Sequence, residues 1–302
     1  MRDFIGYADH PPTTRWPGNA GLAINFVLNY EEGSEYSIEA GDGHSETALI
    51  EINAPRVPRG GRDLAAESMY EYGARVGVWR VLRLFKARGL PLTIFAAAQA
   101  LERNPKVAAA IASSDWDLVA HGYRWIEHYL LDEATEREHI ALAHQSITRS
   151  IGRPPAGWYC RYSPSAHTRR LLVEHGGYSY DSDAYNDEVP YWTDVAGKAH
   201  LVIPYSLVTN DAKLLGSGGL ETADDYAQVL IDSFEVLWAE GQATPRMMNV
   251  GLHPRVVGHP SRIGGLVKFL DHVATRNGVW IARRADIAQH WMQTMPAAMV
   301  MA

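Results

Sequence analysis

Met248-Asn249-Val250-Gly251-Leu252-His253-Pro254 is an apolar run that ends in an imidazole and is stopped by proline, which leaves the ring at the mouth of a strand. The same sentence structure recurs along the chain. Leu22 to Leu28 lead to Asn29-Tyr30-Glu31-Glu32-Gly33, Leu118 to Ala120 deliver His121, and Gly157 to Cys160 end at Arg161. Tyr178 to Tyr180 run into Asp181-Ser182-Asp183, His200 to Pro204 lead to Thr209-Asn210-Asp211, and Val279 to Ile281 complete the series. Helical patterns fall between these runs: Val78, Trp79, Leu82 and Phe85; a stretch opened by Asn104-Pro105; Ile140, His144, Ile147 and Ile151 after Asp132; a helix capped by Ser165; and Thr222 to Glu240. Roughly seven strand-helix units without a break in composition predict one α/β domain, a parallel barrel with its chemistry at the C-terminal ends of the strands.

The rest of the composition narrows the setting. With 302 residues and 46% hydrophobic content the chain can bury a sizeable core, and residues 1–302 read as a single domain. Residues 1–21 form a Pro- and Gly-rich entry arm and 293–302 a mobile tail. A net charge of -7 without a basic run makes nucleic acid and anionic membranes poor partners. The first residues lack the apolar segment of a signal peptide, and a single Cys160 fits a reducing compartment, so a cytoplasmic protein is expected. The segment from Ser34 to Arg62 is long and weakly periodic, and reads as a lid or binding loop.

Adjacent carboxylates placed in a cleft must be protonated, paired or metal-bound, and an imidazole such as His253 exchanges protons near neutral pH. Trp125, Trp158, Tyr191 and Trp192 are candidates for a flat slot around a small planar ring, with Asn210 and Asp211 reading its amide edges. Asp183 either orients a base or caps a turn. His144 reads as buried structure.

These motifs, in this order, resemble the polysaccharide deacetylase (NodB-like) superfamily, and within it the metal-independent, PuuE-type allantoinase branch and its cyclic imide hydrolase relatives. The resemblance spans about Arg2 to Trp291 and implies a distorted (β/α)7 barrel and a homotetramer. It places Glu31 and Glu32 where the superfamily carries its base and a metal-binding aspartate, with Asn29 and Tyr30 beside them as substrate contacts. His121 stands for the first of two histidine ligands, but Trp125 occupies the place of the second, and indole has no lone pair for a metal. His128 lies beyond the ligand spacing. The branch's Thr-Gly-Arg element is replaced by Cys160-Arg161-Tyr162, which keeps cyclic imides beside allantoin as substrates.

The resemblance therefore implies an amidohydrolase that opens a cyclic ureide or imide without a cofactor. Glu31 or Glu32 would activate water, Arg161 or a backbone N–H would steady the oxyanion, and His253 would protonate the leaving nitrogen, with His121 in the same cleft. Other readings are a deacetylase of an N-acetylated sugar with zinc held by Glu32 and His121, a thiol amidohydrolase using Cys160, and an inactive small-molecule binder.

Overall fold

Strand β1 (Leu22–Tyr30) is buried along its whole length, as a central parallel strand must be. Its side chains part by strict alternation. Ala23 and Val27 face an apolar cluster with Phe95, Val119, Tyr159 and Tyr180 inside the barrel. Leu22, Ile24, Phe26, Leu28 and Tyr30 face the surrounding helices. The computed structural model describes residues 2–52, 57–216 and 219–300.

The elements alternate as the sequence pattern predicts. Helix α1 (Leu64–Tyr72) runs through a π turn (Gly73–Gly77) into α2 (Val78–Arg88), followed by β2 (Thr93–Ala96), α3 (Ala98–Arg103), α4 (Pro105–Ala112), β3 (Asp117–Ala120), α5 (Glu133–Ile151) and β4 (Gly157–Trp158). Then come α6 (Thr168–His175), β5 (Tyr180–Asp181), the hairpin β6 (Tyr191–Val195) and β7 (Lys198–Val202), α7 (Ala223–Glu240), β8 (Arg246–Leu252), α8 (Pro260–Val273), β9 (Val279–Ile281), α9 (Arg284–Thr294) and α10 (Ala297–Val300). Strand order is β6-β7-β5-β4-β3-β2-β1-β8, with β9 beside the first residues of β1. Only β6 runs antiparallel to its neighbour. This is a curled, mostly parallel sheet flanked by helices, as the expected parallel α/β barrel requires.

Closure between β7 and β8 uses one isolated backbone bridge and side chains instead of a continuous ladder. Asn210 and Gly251 form an isolated parallel bridge, and Thr209 Oγ1 donates to the Asn249 carbonyl. Arg284, fully buried at the first turn of α9, crosses the interior. Its guanidinium donates to Asn25 Oδ1 (3.0 Å), Ser182 Oγ (2.8 Å), the Ile203 and Pro204 carbonyls (2.7 and 2.6 Å) and Asn249 Oδ1. One side chain thus ties β1, β8 and the chain after β5 and β7.

Several expectations are adjusted. Ser165 does serve the start of α6, accepting from the His167 and Thr168 N–H groups (2.9 and 3.2 Å), although the N-cap position is His167 and the helix begins at Thr168, three residues after the serine. His144 is half-buried against His175 and Tyr178. The tail is not simply loose: Ala297–Val300 is helical, and the Met295 carbonyl accepts from Trp192 Nε1 at 2.7 Å. Residues 301 and 302 lie outside the described residues. Among the described residues no helix is long and apolar enough to cross a membrane.

Candidate active site

The alternation that splits β1 also sorts the residues after it. Glu31 continues the inward-facing series, whereas Tyr30 and Glu32 point the other way. Glu31, His121 and His253, each just beyond a strand, meet in one cavity of about 780 Å³ that Asn29, Trp125, Tyr159, Arg161, Tyr205 and Asn210 also line. That volume suits a small molecule.

Glu31 is the hub. Its Oε1 lies 3.1 Å from His121 Nε2 and 3.5 Å from His253 Nε2, and its Oε2 accepts from Arg255 Nη2 at 2.6 Å. Burial alone would raise this carboxyl, but the Arg255 guanidinium, the His253 imidazole and hydrogen bonds from both histidines outweigh it and hold it well below the usual carboxylate range. His121 Nδ1 meets the Tyr159 carbonyl at 2.8 Å and so carries a proton there, which aims Nε2 at Glu31.

His253 is held from behind by Asp211. The carboxylate takes the His253 ring at Nδ1 (2.6 Å) and accepts from the backbone N–H groups of His253 (2.7 Å) and Val257 (3.1 Å). Burial would lower the imidazole, but Asp211 first and Glu31 second raise it to about 9. At neutral pH the ring therefore carries both protons.

Arg255 is the group that the sequence reading did not single out. It bonds Glu31, bonds Glu32 Oε1 at 3.2 Å, donates from Nε to the Leu49 carbonyl at 3.1 Å, and lies over the rings of Tyr70 (4.3 Å) and Trp125 (5.2 Å). Its signal was available as the cation following His253-Pro254, in a chain with two neighbouring acids in need of a counter-charge. Glu32 does not line the cavity; it packs against Gly73, where any Cβ would collide with its carboxyl. Burial pushes Glu32 up to about 7, against Arg255 and with Glu31 adding to the rise.

Other expected residues sit differently from their assigned parts. Arg161 borders the cavity, but its terminal nitrogens are held by Glu46 (2.5 and 3.0 Å), Glu127 (3.2 Å) and the Trp125 carbonyl (3.1 Å), so its charge is compensated and it is no free oxyanion donor. Trp125 lies beneath that guanidinium at 3.8 Å, so its indole is clasped between two arginines. Asp211 does not line the cavity and is spent on His253. Tyr30 is buried among the helices. Trp192 lies in a separate groove of about 1830 Å³ with Tyr191, larger than the first but touched by none of Glu31, His121 and His253. Trp158 is core, and Tyr159 and Tyr205 join Trp125 in the cavity's aromatic lining.

Cys160 shares the helix-facing side of its strand with Trp158, whose Nε1 donates to its sulfur at 3.2 Å, and burial pushes the thiol well up. A buried protonated thiol outside the cavity is no nucleophile. Asp183 accepts from the Cys160 N–H at 2.8 Å and thereby caps the backbone. His128 turns away to Glu136 at 3.3 Å.

The zinc pair expected from Glu32 and His121 is not assembled, because His121 meets Glu31. Among the described residues no group of three or more His, Cys, Asp or Glu side chains has the arrangement of a metal site. The donor set argues the same way: the Arg255 guanidinium occupies the space between the two carboxylates and bonds both of them.

Residues 63–180 match the polysaccharide deacetylase family model. A Schizosaccharomyces pombe protein described as a polysaccharide deacetylase is 38% identical over 98% of both chains. The crystal structure of a PuuE allantoinase superposes with a TM-score of 0.94 at 46% identity, covering 98% of each chain. That of a Pseudomonas aeruginosa PAO1 protein described as a polysaccharide deacetylase gives a TM-score of 0.94 at 46% identity, over 98% of this chain and 99% of the other.

Proposed function

The chain belongs to the polysaccharide deacetylase family, and from that premise we propose that it hydrolyses a C–N bond in a cyclic ureide or imide, allantoin first, without a metal. The observation that carries this reading is the Arg255 guanidinium seated on both Glu31 and Glu32, with Trp125 at its back. The similarity to an allantoinase structure over almost the whole chain supports the substrate class.

Without a Lewis acid the carbonyl must already be electrophilic and the leaving nitrogen already stabilised. A ring nitrogen between two carbonyls meets both needs. Glu31 takes a proton from water as the water oxygen bonds to the ring carbonyl carbon. The C–N bond then breaks as His253 Nε2 passes its proton to the departing nitrogen, and the product is an open-chain acid. Asp211 keeps the resulting neutral imidazole aligned through Nδ1–H, and the proton that Glu31 took from water returns to His253 Nε2, 3.5 Å from Glu31 Oε1. Glu31 is a weak base because of its neighbours, yet it is the glutamate facing the cavity.

The test is a panel of allantoin, hydantoin, succinimide and an N-acetylated sugar. Ring opening of at least one cyclic member with no deacetylation is expected; deacetylation alone would overturn the proposal. Homotetrameric assembly and a cytoplasmic location belong to the same reading, and light scattering of the purified protein checks the first.

A further inference from the structure

Tyr205 was not among the residues expected in the cleft, yet its hydroxyl is held from two sides on the cavity wall. It accepts from Asn29 Nδ2 and from Asn210 Nδ2, each at 3.2 Å. Neither amide can be turned round. Asn29 Nδ2 also donates to the Leu252 carbonyl (3.2 Å), and Asn210 Oδ1 accepts from the Ala212 N–H (2.8 Å), so backbone groups decide which end is nitrogen.

With two donors on its oxygen, the phenol can use its own proton only as a donor. Among the described residues it donates to nothing, and Asn29 Oδ1 likewise accepts nothing. Tyr205 is 3% exposed and Asn29 2%, and both line the cavity beside Glu31 and His253. Gly251 makes the arrangement possible, since a Cβ there would collide with the Tyr205 hydroxyl and the Asn210 amide. The ring is fixed by Phe95 and Tyr159, with centroids 5.4 and 4.9 Å away.

We infer that Tyr205 Oη–H and Asn29 Oδ1 form a donor and acceptor pair that reads the C=O and N–H of one cis amide in the substrate. It rests on the cyclic-amide reading of this cleft and sharpens it into a rule of selection. A five-membered ring forces its amide to be cis, with N–H and C=O on one edge. An open-chain secondary amide, such as an acetamido group, is trans and presents them on opposite sides. The pair therefore selects rings over acetylated amines by geometry, before any chemistry occurs. Asn210 is a positioning residue that spends the second phenol lone pair and so directs the proton into the cavity.

The experiment uses inert ligands, so it does not depend on turnover. Binding of 2-pyrrolidinone, N-methyl-2-pyrrolidinone and N-methylacetamide to the wild-type protein and to Tyr205→Phe is measured by ligand-observed NMR, with thermal melting to check that the variant folds. The lactam should bind the wild type about tenfold tighter than the other two, the difference of one well-made hydrogen bond, and Tyr205→Phe should erase most of that gap. Equal binding of all three to the wild type, no saturable binding of any, or a gap that survives in a folded Tyr205→Phe would overturn the inference. The wild-type comparison alone decides the matter if the variant does not fold. Lactam selectivity without hydrolysis of any ring would sink the proposed function and leave this inference standing; ring hydrolysis without lactam selectivity would do the reverse.

Discussion

His253 carries its second proton at neutral pH only because Asp211 and Glu31 flank it, so its behaviour should follow the pH in a defined sense. Its folded value of about 9 lies above the ordinary 6.5, so the stabilisation is complete below pH 6.5 and is lost as pH rises through 9. In the proposed reaction kcat/KM should fall above about pH 9, roughly tenfold per unit, as the acid is lost. Asp211→Asn should move that alkaline limb toward 6.5, and a limb that stays in place would contradict the pairing. His253→Ala should lower kcat by about 10² to 10⁴ with little change in KM. Glu32 works with the opposite charge type but the same sign. Its carboxyl is raised from 4.5 to about 7, so its favourable, protonated contribution holds below pH 4.5 and drains as pH rises through 7. Glu32→Gln should therefore gain melting temperature relative to the wild type at pH 8 compared with pH 5, and equal differences at both would refute the burial argument. Glu31, His121 and His253 were legible because each closes an apolar run. Tyr30 and Glu32 lie off the cavity because the strand's alternation sends adjacent residues to opposite faces. Asp211 lies 42 positions from the histidine it holds, and no local pattern announces such a partner.

Among the elements, the segment from Ser34 to Arg62 was read as a lid or binding loop, and its described part is built into the wall of the cavity. Asp42 takes Arg124 through both oxygens (2.7 and 2.6 Å), Glu46 takes Arg161, and the Leu49 carbonyl takes Arg255. Residues 53–56 lie outside the described residues. Glu46→Gln removes the charge that grips Arg161, which should raise KM several-fold and speed hydrogen exchange of the Ser45 to Ala48 amides. Unchanged exchange would mean that the latch does not hold the segment. The sequence announced the segment by its weak periodicity, but Glu46 meets an arginine 115 positions away, which only the folded barrel brings near. Helix starts were easier to read: Asp132 accepts from the Thr135 N–H at 2.8 Å, and Thr222 with Asp225 forms a capping box. The β6–β7 hairpin is not legible, because Tyr191 and Trp192 offer the same aromatic signal as ring contacts.

For the whole molecule, the repeated run of apolar strand and polar end was enough to predict a parallel barrel, because each such unit must bury two faces. How the barrel closes was not legible. Arg284 reads as an ordinary first residue of a helix, and its acceptors come from four separate places in the chain. Arg284→Met should take away the donor that Asn25, Ser182, Ile203 and Asn249 share, while the Pro204 carbonyl keeps Asn249 Nδ2 at 3.1 Å, at about 1–3 kcal/mol for each acceptor left unsatisfied, which urea unfolding would register as a large fall in midpoint. A midpoint equal to the wild type would remove Arg284 from the account of closure. Arg255 stands in a comparable position at the site, where a cation must balance two acids. The claim on which the chemistry turns is that this guanidinium, and not a metal ion, supplies the balance. The most direct measurement is the metal content of the purified protein together with its rate of ring hydrolysis before and after exhaustive chelation. Sub-stoichiometric metal and an unchanged rate are predicted, whereas a tightly held transition metal whose removal abolishes turnover and whose return restores it would contradict the account.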